Sequence, residues 1–197
     1  MVGSTAVTQQ LGDAKAMRLL RRHDDIVRAE VRSGRGSEVK HTGDGIMASF
    51  RSVIRAVECA IAIQRSFAEH NAEHPDEAIA IRIGLAAGEP VTERGDLYGV
   101  AVQLAARLCA RGRPNTILVS TAVHGLVVGH PFVFGTRKKL TLRGFDQPVQ
   151  PTRSSGSHLP PSLRAFREAR VQRSPRLTMA ATASGSGNGC VTTCRRG

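Results

Sequence analysis

The chain contains no tryptophan, one tyrosine and six phenylalanines in 197 residues. So few rings offer no evident platform on which nucleic-acid bases would stack. No apolar run approaches the roughly 20 residues that a membrane-spanning helix needs, so no membrane partner is expected. The opening stretch, MVGSTAVTQQLGDAK, has neither a basic n-region nor an apolar h-region and does not read as a secretory signal. Cysteine is scarce. Cys59, Cys109, Cys190 and Cys194 read as reduced thiols of a cytoplasmic protein rather than as a disulfide framework. With no histidine near them, Cys190 and Cys194 make a poor metal site. Cys59 and Cys109 fall on predicted helices and read as packing residues.

Acidic residues are also in short supply, 16 against 28 basic ones, for a formal charge of +12. Such an excess invites a nucleic-acid reading, but its distribution argues against it. Residues 151–197 hold eight arginines, no lysine and one acid (Glu168), a net of +7, which leaves +5 for the first 150 residues. The excess sits in a Pro-, Ser-, Gly- and Arg-rich segment unlike the rest, so nucleic acid is not the expected partner. The expected organisation is one domain over 1–150 and a low-complexity, disordered basic tail over 151–197, with at most a short basic helix at 160–172.

Within the first 150 residues the apolar pattern is informative. A helical stripe (Leu19, Leu20, Ile26, Val27, Val31) predicts a helix over 6–32. Two short runs around Gly43-Asp44-Gly45 predict a hairpin, with Val39 and His41 on one strand face and Lys40 and Thr42 on the other. Val53, Val57, Ala60, Ile61, Gln64 and Phe67 predict a helix over 52–71. Ile79, Ile81, Ile83 and Leu85 alternate strictly and predict a strand. A loop bracketed by Gly95 and Gly99, a helix over 101–110, a strand in NTILVS, a helix over 121–128 and a hairpin or two strands in PFVFGTRKKLTLRGF follow. The order helix, strand, turn, strand, helix, strand is that of an α+β, ferredoxin-like (split βαβ) layout without its first strand.

Five polar residues sit where such a fold does not require them: Lys40 and Asp44 around the hairpin, and Asp96, Gln103 and Arg107 later on. Asp44 alone is explained by turn chemistry, but together the five supply what phosphoryl chemistry on a nucleotide needs. There is a carboxylate for a divalent ion, a guanidinium for charge on phosphorus, and a lysine–carboxylate pair able to read a purine edge. Gln103 and Arg107, four apart, project from one helix face. His23 and His41 read as structural or surface residues.

The series VGST…LLRRHD…VKHTGDGIMASF…AVECAIAIQ…IRIGLAAGEP…GDLYGVAVQLAARLCA…ILVS…LRGFDQPV resembles the class III nucleotidyl (adenylate/guanylate) cyclase catalytic domain over about residues 2–149. The resemblance implies a homodimer whose two active sites are each shared between subunits. It implies conversion of ATP to 3′,5′-cyclic AMP and pyrophosphate by attack of the ribose 3′-hydroxyl on the α-phosphorus, assisted by two Mg²⁺ or Mn²⁺ ions. On that reading Asp44 is a metal ligand. Lys40 and Asp96 recognise adenine, and Arg107 stabilises the transition state. Gln103 stands where the family usually has asparagine. The family's first strand, with its metal-binding aspartate, has no counterpart before Met1. An N-terminally truncated sheet with two unpaired strand edges and little turnover is therefore expected. Two other readings are a cyclase-homology domain that binds nucleotide or dimerises without turnover, and a basic nucleic-acid binder.

Overall fold

A computed structural model describes residues 13–43, 45–135, 152–154 and 189–196. The first helix, α1 (Asp13–Ser33), buries Leu19, His23, Ile26, Val27 and Val31. The hairpin strands are β1 (Ser37–His41) and β2 (Gly45–Phe50). Helix α2 (Val53–Glu73) starts at Ser52, whose side chain caps it by accepting from the Arg55 amide. A single 3₁₀ turn, Pro75–Glu77, leads to β3 (Ile81–Gly88). Ile79, just before β3, is clamped by Asn71, which accepts from its amide at 2.8 Å and donates to its carbonyl at 3.0 Å. Next come β4 (Val91–Glu93), β5 (Asp96–Tyr98), α3 (Val100–Arg111), β6 (Thr116–Val119) and α4 (Thr121–Leu126). The remaining strands are β7 (Thr152–Ser154) and β8 (Gly189–Arg196).

The helices and strands expected up to residue 128 are present, with one addition. Between Gly95 and Gly99 the sequence suggests a loop, whereas β4 and β5 form a hairpin there. Its two turn residues, Arg94 (φ 50°) and Gly95 (φ 81°), both have positive φ. That is the geometry of a primed hairpin turn, and arginine in the left-handed region gives no sequence signal for it. Residues 131–135 carry no regular strand, but Phe132 and Phe134 pack on the core. Residues 6–12, Asp44, the remainder of the 131–145 reading and the proposed helix at 160–172 lie outside the described residues.

The main sheet has six strands in the order β1-β2-β8-β3-β6-β7. On one face Ile46, Ala48, Phe50, Ile81, Ile83, Leu85, Ile117 and Val119 pack under α1 and α2. On the other, Met47 and Ala86 meet Ala105 of α3 and Leu97 of β5. Two features of the sheet add to the truncated layout expected from sequence. The edges of β2 and β3 that were expected to be unpaired are paired by β8, which lies between them antiparallel to both. Two stretches of the C-terminal segment, 152–154 and 189–196, are strands of this sheet. Neither is foreshadowed by local pattern, because short, small-residue strands are defined by their neighbours.

Helix α3 lies very close to β3. A Cβ placed on Gly84 would stand 2.2 Å from the Ala105 carbonyl oxygen and 2.5 Å from the Cys109 amide nitrogen. Both are backbone atoms that cannot swing away, so only glycine allows this helix–sheet distance. Replacing Gly84 with alanine must push α3 outward, and we expect a loss of about 2 kcal/mol or more, the scale of core overpacking. A urea titration followed by circular dichroism measures it; an unchanged midpoint would mean that the close approach is not required.

Candidate functional site

The β1–β2 hairpin carries a bulge between Glu38 and Lys40, where the pairing passes from Glu38↔Ala48 to Lys40↔Met47. A regular strand would alternate Val39 and His41 on one side with Lys40 on the other. The extra residue breaks that alternation. Glu38 and His41 now both reach α1, where Glu38 receives two bonds from the Arg28 guanidinium (2.8 and 3.0 Å) and His41 lies 3.0 Å from Asp24. Val39 packs beside Met47 and Leu97 on the opposite face, and Lys40 bonds Asp96 at the start of β5. The sequence-based pairing of Val39 with His41 is thereby corrected, and the bulge is what aims Lys40 at Asp96.

Lys40 Nζ is 2.5 Å from Asp96 Oδ2, across 56 residues of sequence. The second oxygen, Oδ1, accepts from the Leu97 amide at 2.7 Å. The Tyr98 ring lies under the ammonium, 5.9 Å from Nζ to centroid. The hydrogen bond from Lys40 is the main reason that the Asp96 carboxyl titrates below its ordinary value of 3.8. The pair is therefore intact at neutral pH and is lost only as pH falls through that lowered value. Both side chains keep partial exposure, 41% and 25%, so the pair is open to a ligand and contributes little to stability.

Gln103 and Arg107 lie one turn apart on α3, away from the buried Ala101, Ala105 and Leu108. Gln103 is exposed and Arg107 half-buried. The structure thus brings Lys40 to Asp96, and puts Gln103 and Arg107 on the outer side of the helix that follows them. Asp44 falls outside the described residues, but the loop that contains it is closed on both sides. The Thr42 amide donates to the Gly45 carbonyl (2.8 Å), and Gly43 has φ 77°.

That loop is held by a network that the sequence did not reveal. His41 Nδ1 accepts from the Gly43 amide (3.2 Å), so its proton resides on Nε2, which donates to Asp24. Asp24 also meets the fully buried His23 through Nδ1 at 2.8 Å, and His23 stacks against Phe67 at 5.7 Å. His23 is fully buried, His41 is partly exposed, and the two share one carboxylate. An Asp24 four residues before Arg28 on a helix gives no hint that it will bridge to a strand residue. Truncating Asp24 to alanine removes the 2.8 Å partner of a buried imidazole, and we expect a loss of about 1–3 kcal/mol. His41→Ala, at a more exposed position, should cost less. A double-mutant cycle in urea should give coupling between the two; strict additivity would show that the bridge carries no energy.

Residues 1–152 match the adenylate and guanylate cyclase catalytic domain family. Over 112 residues (56% of the chain) the sequence is 37% identical to a Rhizobium meliloti protein named "Putative adenylate cyclase 3". Over 148 residues (74%) it is 34% identical to an uncharacterized protein of Mycobacterium tuberculosis. The chain spans 19% and 36% of these relatives' lengths. Among solved structures, the adenylate/guanylate cyclase/hydrolase from Silicibacter pomeroyi superposes with TM-score 0.70 at 26% identity, covering 76% of this chain and 89% of that one.

The fold, a mixed sheet with helices on both faces and a lysine–aspartate pair at its edge, is that of a nucleotidyl cyclase catalytic domain. The chain belongs to the adenylate/guanylate cyclase catalytic domain family.

This family generally uses Mg²⁺ or Mn²⁺. Among the described residues no group of three or more His, Cys, Asp or Glu side chains is placed to hold such an ion, and β8, which pairs with Gly45, contains no acidic residue.

Proposed function

We propose that this domain binds ATP in preference to GTP, in a site completed by a second subunit, and that cyclisation to cyclic AMP and pyrophosphate is the reaction for which the site is built. The observation that carries this reading is the Lys40–Asp96 pair, a fixed donor beside a fixed acceptor. Adenine presents a ring-nitrogen acceptor next to an exocyclic amine donor. Lys40 would donate to the first and Asp96 accept from the second. Guanine offers a ring N–H and a carbonyl oxygen instead, so it would leave both protein groups facing groups of their own kind. Mispairing of this sort in a desolvated site costs several kcal/mol of discrimination.

The other residues divide by chemistry. The Arg107 guanidinium suits the charge that grows on the α-phosphate as the 3′-hydroxyl attacks. The Gln103 amide, on the same face of α3, suits the ribose. Asp44 is the carboxylate at which a divalent ion would be held. Gln103 and Arg107 lie on the outer side of α3, which supports a nucleotide bound between two copies of the chain.

A second reading has one observation in its favour. With β8 beside the hairpin and no acid on it, the domain is better equipped to bind a nucleotide than to turn it over. Cyclic AMP formation with ATP and Mn²⁺, measured beside ATP binding, separates the two readings.

Nucleotide choice is tested by competition. ATP should displace a fluorescent adenine nucleotide about tenfold or more better than GTP, and Lys40→Glu should erase the difference. Equal displacement by both nucleotides in the unsubstituted chain would count against the assignment.

The shared site is tested by mixing. Asp44→Ala and Arg107→Ala should each weaken ATP binding about tenfold, the worth of one charge-assisted bond. In an equimolar mixture, half of the dimers are hybrids and each hybrid keeps one site of two, so about a quarter of sites should regain full affinity. No recovery despite demonstrated hybrids would sink the model.

A further inference from the structure

We propose that Tyr98 is a positioning residue for nucleotide choice: its ring holds the Lys40 ammonium against Asp96, so that donor and acceptor meet a purine edge at one spacing. This role rests on the adenine reading of the Lys40–Asp96 pair and adds a third member to it.

Strand β5 has three residues, and they divide between two faces. Leu97 points inward and is buried with Met47, Ala86 and Ala105. Asp96 and Tyr98, two apart, share the outer face. Tyr98 is 50% exposed, so half of a large ring stays in water. Leu97 supplies the core contact of this strand, and Tyr98 is explained by what it faces. It faces Lys40, whose Nζ lies 5.9 Å from the ring centroid.

A lysine in this place needs a second contact. Its compact ammonium rides on a flexible four-carbon stem. At 41% exposure one carboxylate bond does not fix it, because the pair competes with water and with side-chain entropy. A ring face restrains the cation from another direction. The attraction acts within about 6 Å of the centroid and favours the held position by a factor of about two to five at an exposed site. Asp96 takes one of the ammonium's N–H donors, which leaves donors for a purine ring nitrogen. Tyr98 also bears on the acceptor. The Lys40 hydrogen bond does most to lower the Asp96 carboxyl, and a hydrogen bond from the Tyr98 side chain lowers it further.

A ring that stacked on the base would act differently. Base–aromatic stacking tolerates any base, so it would aid ATP and GTP alike. A ring that positions Lys40 aids only the base that fits the pair. The two roles therefore separate in the ratio of affinities.

Competition against a fluorescent adenine nucleotide reads that ratio in the full chain. Tyr98→Leu should narrow the preference for ATP over GTP about two- to fivefold, chiefly by weakening ATP. Tyr98→Phe, which keeps the ring face, should retain the preference to within about twofold. A second measurement needs no nucleotide. The chain has four lysines, so selective ¹³C labelling gives few ε-methylene signals, and the one lost in Lys40→Arg is that of Lys40. Its protons should be displaced upfield by the ring, in the unsubstituted chain and in Tyr98→Phe but not in Tyr98→Leu. A Lys40 signal that coincides with those of the other lysines would overturn the proposal, whatever the nucleotides do. So would an undiminished ATP preference in Tyr98→Leu, or an equal loss of ATP and GTP, which would assign the ring to stacking. Equal displacement by ATP and GTP in the unsubstituted chain, with the Lys40 signal displaced as expected, is the separate failure of the adenine reading, and the role in nucleotide choice falls with it.

Discussion

A strand buried on both faces must find hydrogen-bond partners on both edges, and this requirement governs the domain. β2 and β3 are largely buried strands, with every residue of β2 buried. Neither pairs with the other. Their common neighbour is β8, and the antiparallel ladders on its two sides make one sheet of two pieces. The core beneath α1 and α2 is drawn from both pieces: Ile46 and Phe50 from one, Ile81, Ile83, Leu85 and Ile117 from the other. Its burial is worth having only when the backbone between them is paired.

Electrostatics at the edge is arranged on top of that frame. One bulge in β1 sends Glu38 and His41 to α1 and Lys40 to β5. The α1 side is structural: bidentate Arg28–Glu38, and Asp24 shared by two histidines. The β5 side is open to solvent and holds a lysine and an aspartate in fixed mutual orientation, with a tyrosine ring beneath. Surface ion pairs add little to stability. The Lys40–Asp96 pair therefore adds little as a brace.

The legible parts of the sequence were those in which local pattern and tertiary role coincide. The alternation of Ile79, Ile81, Ile83 and Leu85 reports a strand with one face on the core, and all four are buried there. The stripe of α2 reports its buried face in the same way. Cys59 and Cys109, assigned to packing, are buried and not disulfide-bonded, and burial pushes the Cys59 thiol up to about 12. The family motifs, in order, carried the fold class. The illegible parts are non-local or depend on unusual backbone. The β4–β5 turn puts an arginine in the left-handed region, where a reader looks for asparagine or glycine. The Val39 bulge appears in no alternation rule. The segment GCVTTCRR sits in a glycine- and serine-rich stretch and acquires a strand's identity only from the two edges it joins.

The frame and the site are coupled through that last strand. Lys40 and the Asp44 loop belong to the β1-β2 piece. Asp96, Gln103 and Arg107 follow directly from β3 in the other piece, on β5 and α3. Within one copy the two pieces meet at the Lys40–Asp96 bond, and β8 sets the spacing of β2 from β3. Its register sets Arg195 opposite Gly45 and Arg196 opposite Ile81, so the same eight residues complete the sheet and align its two pieces.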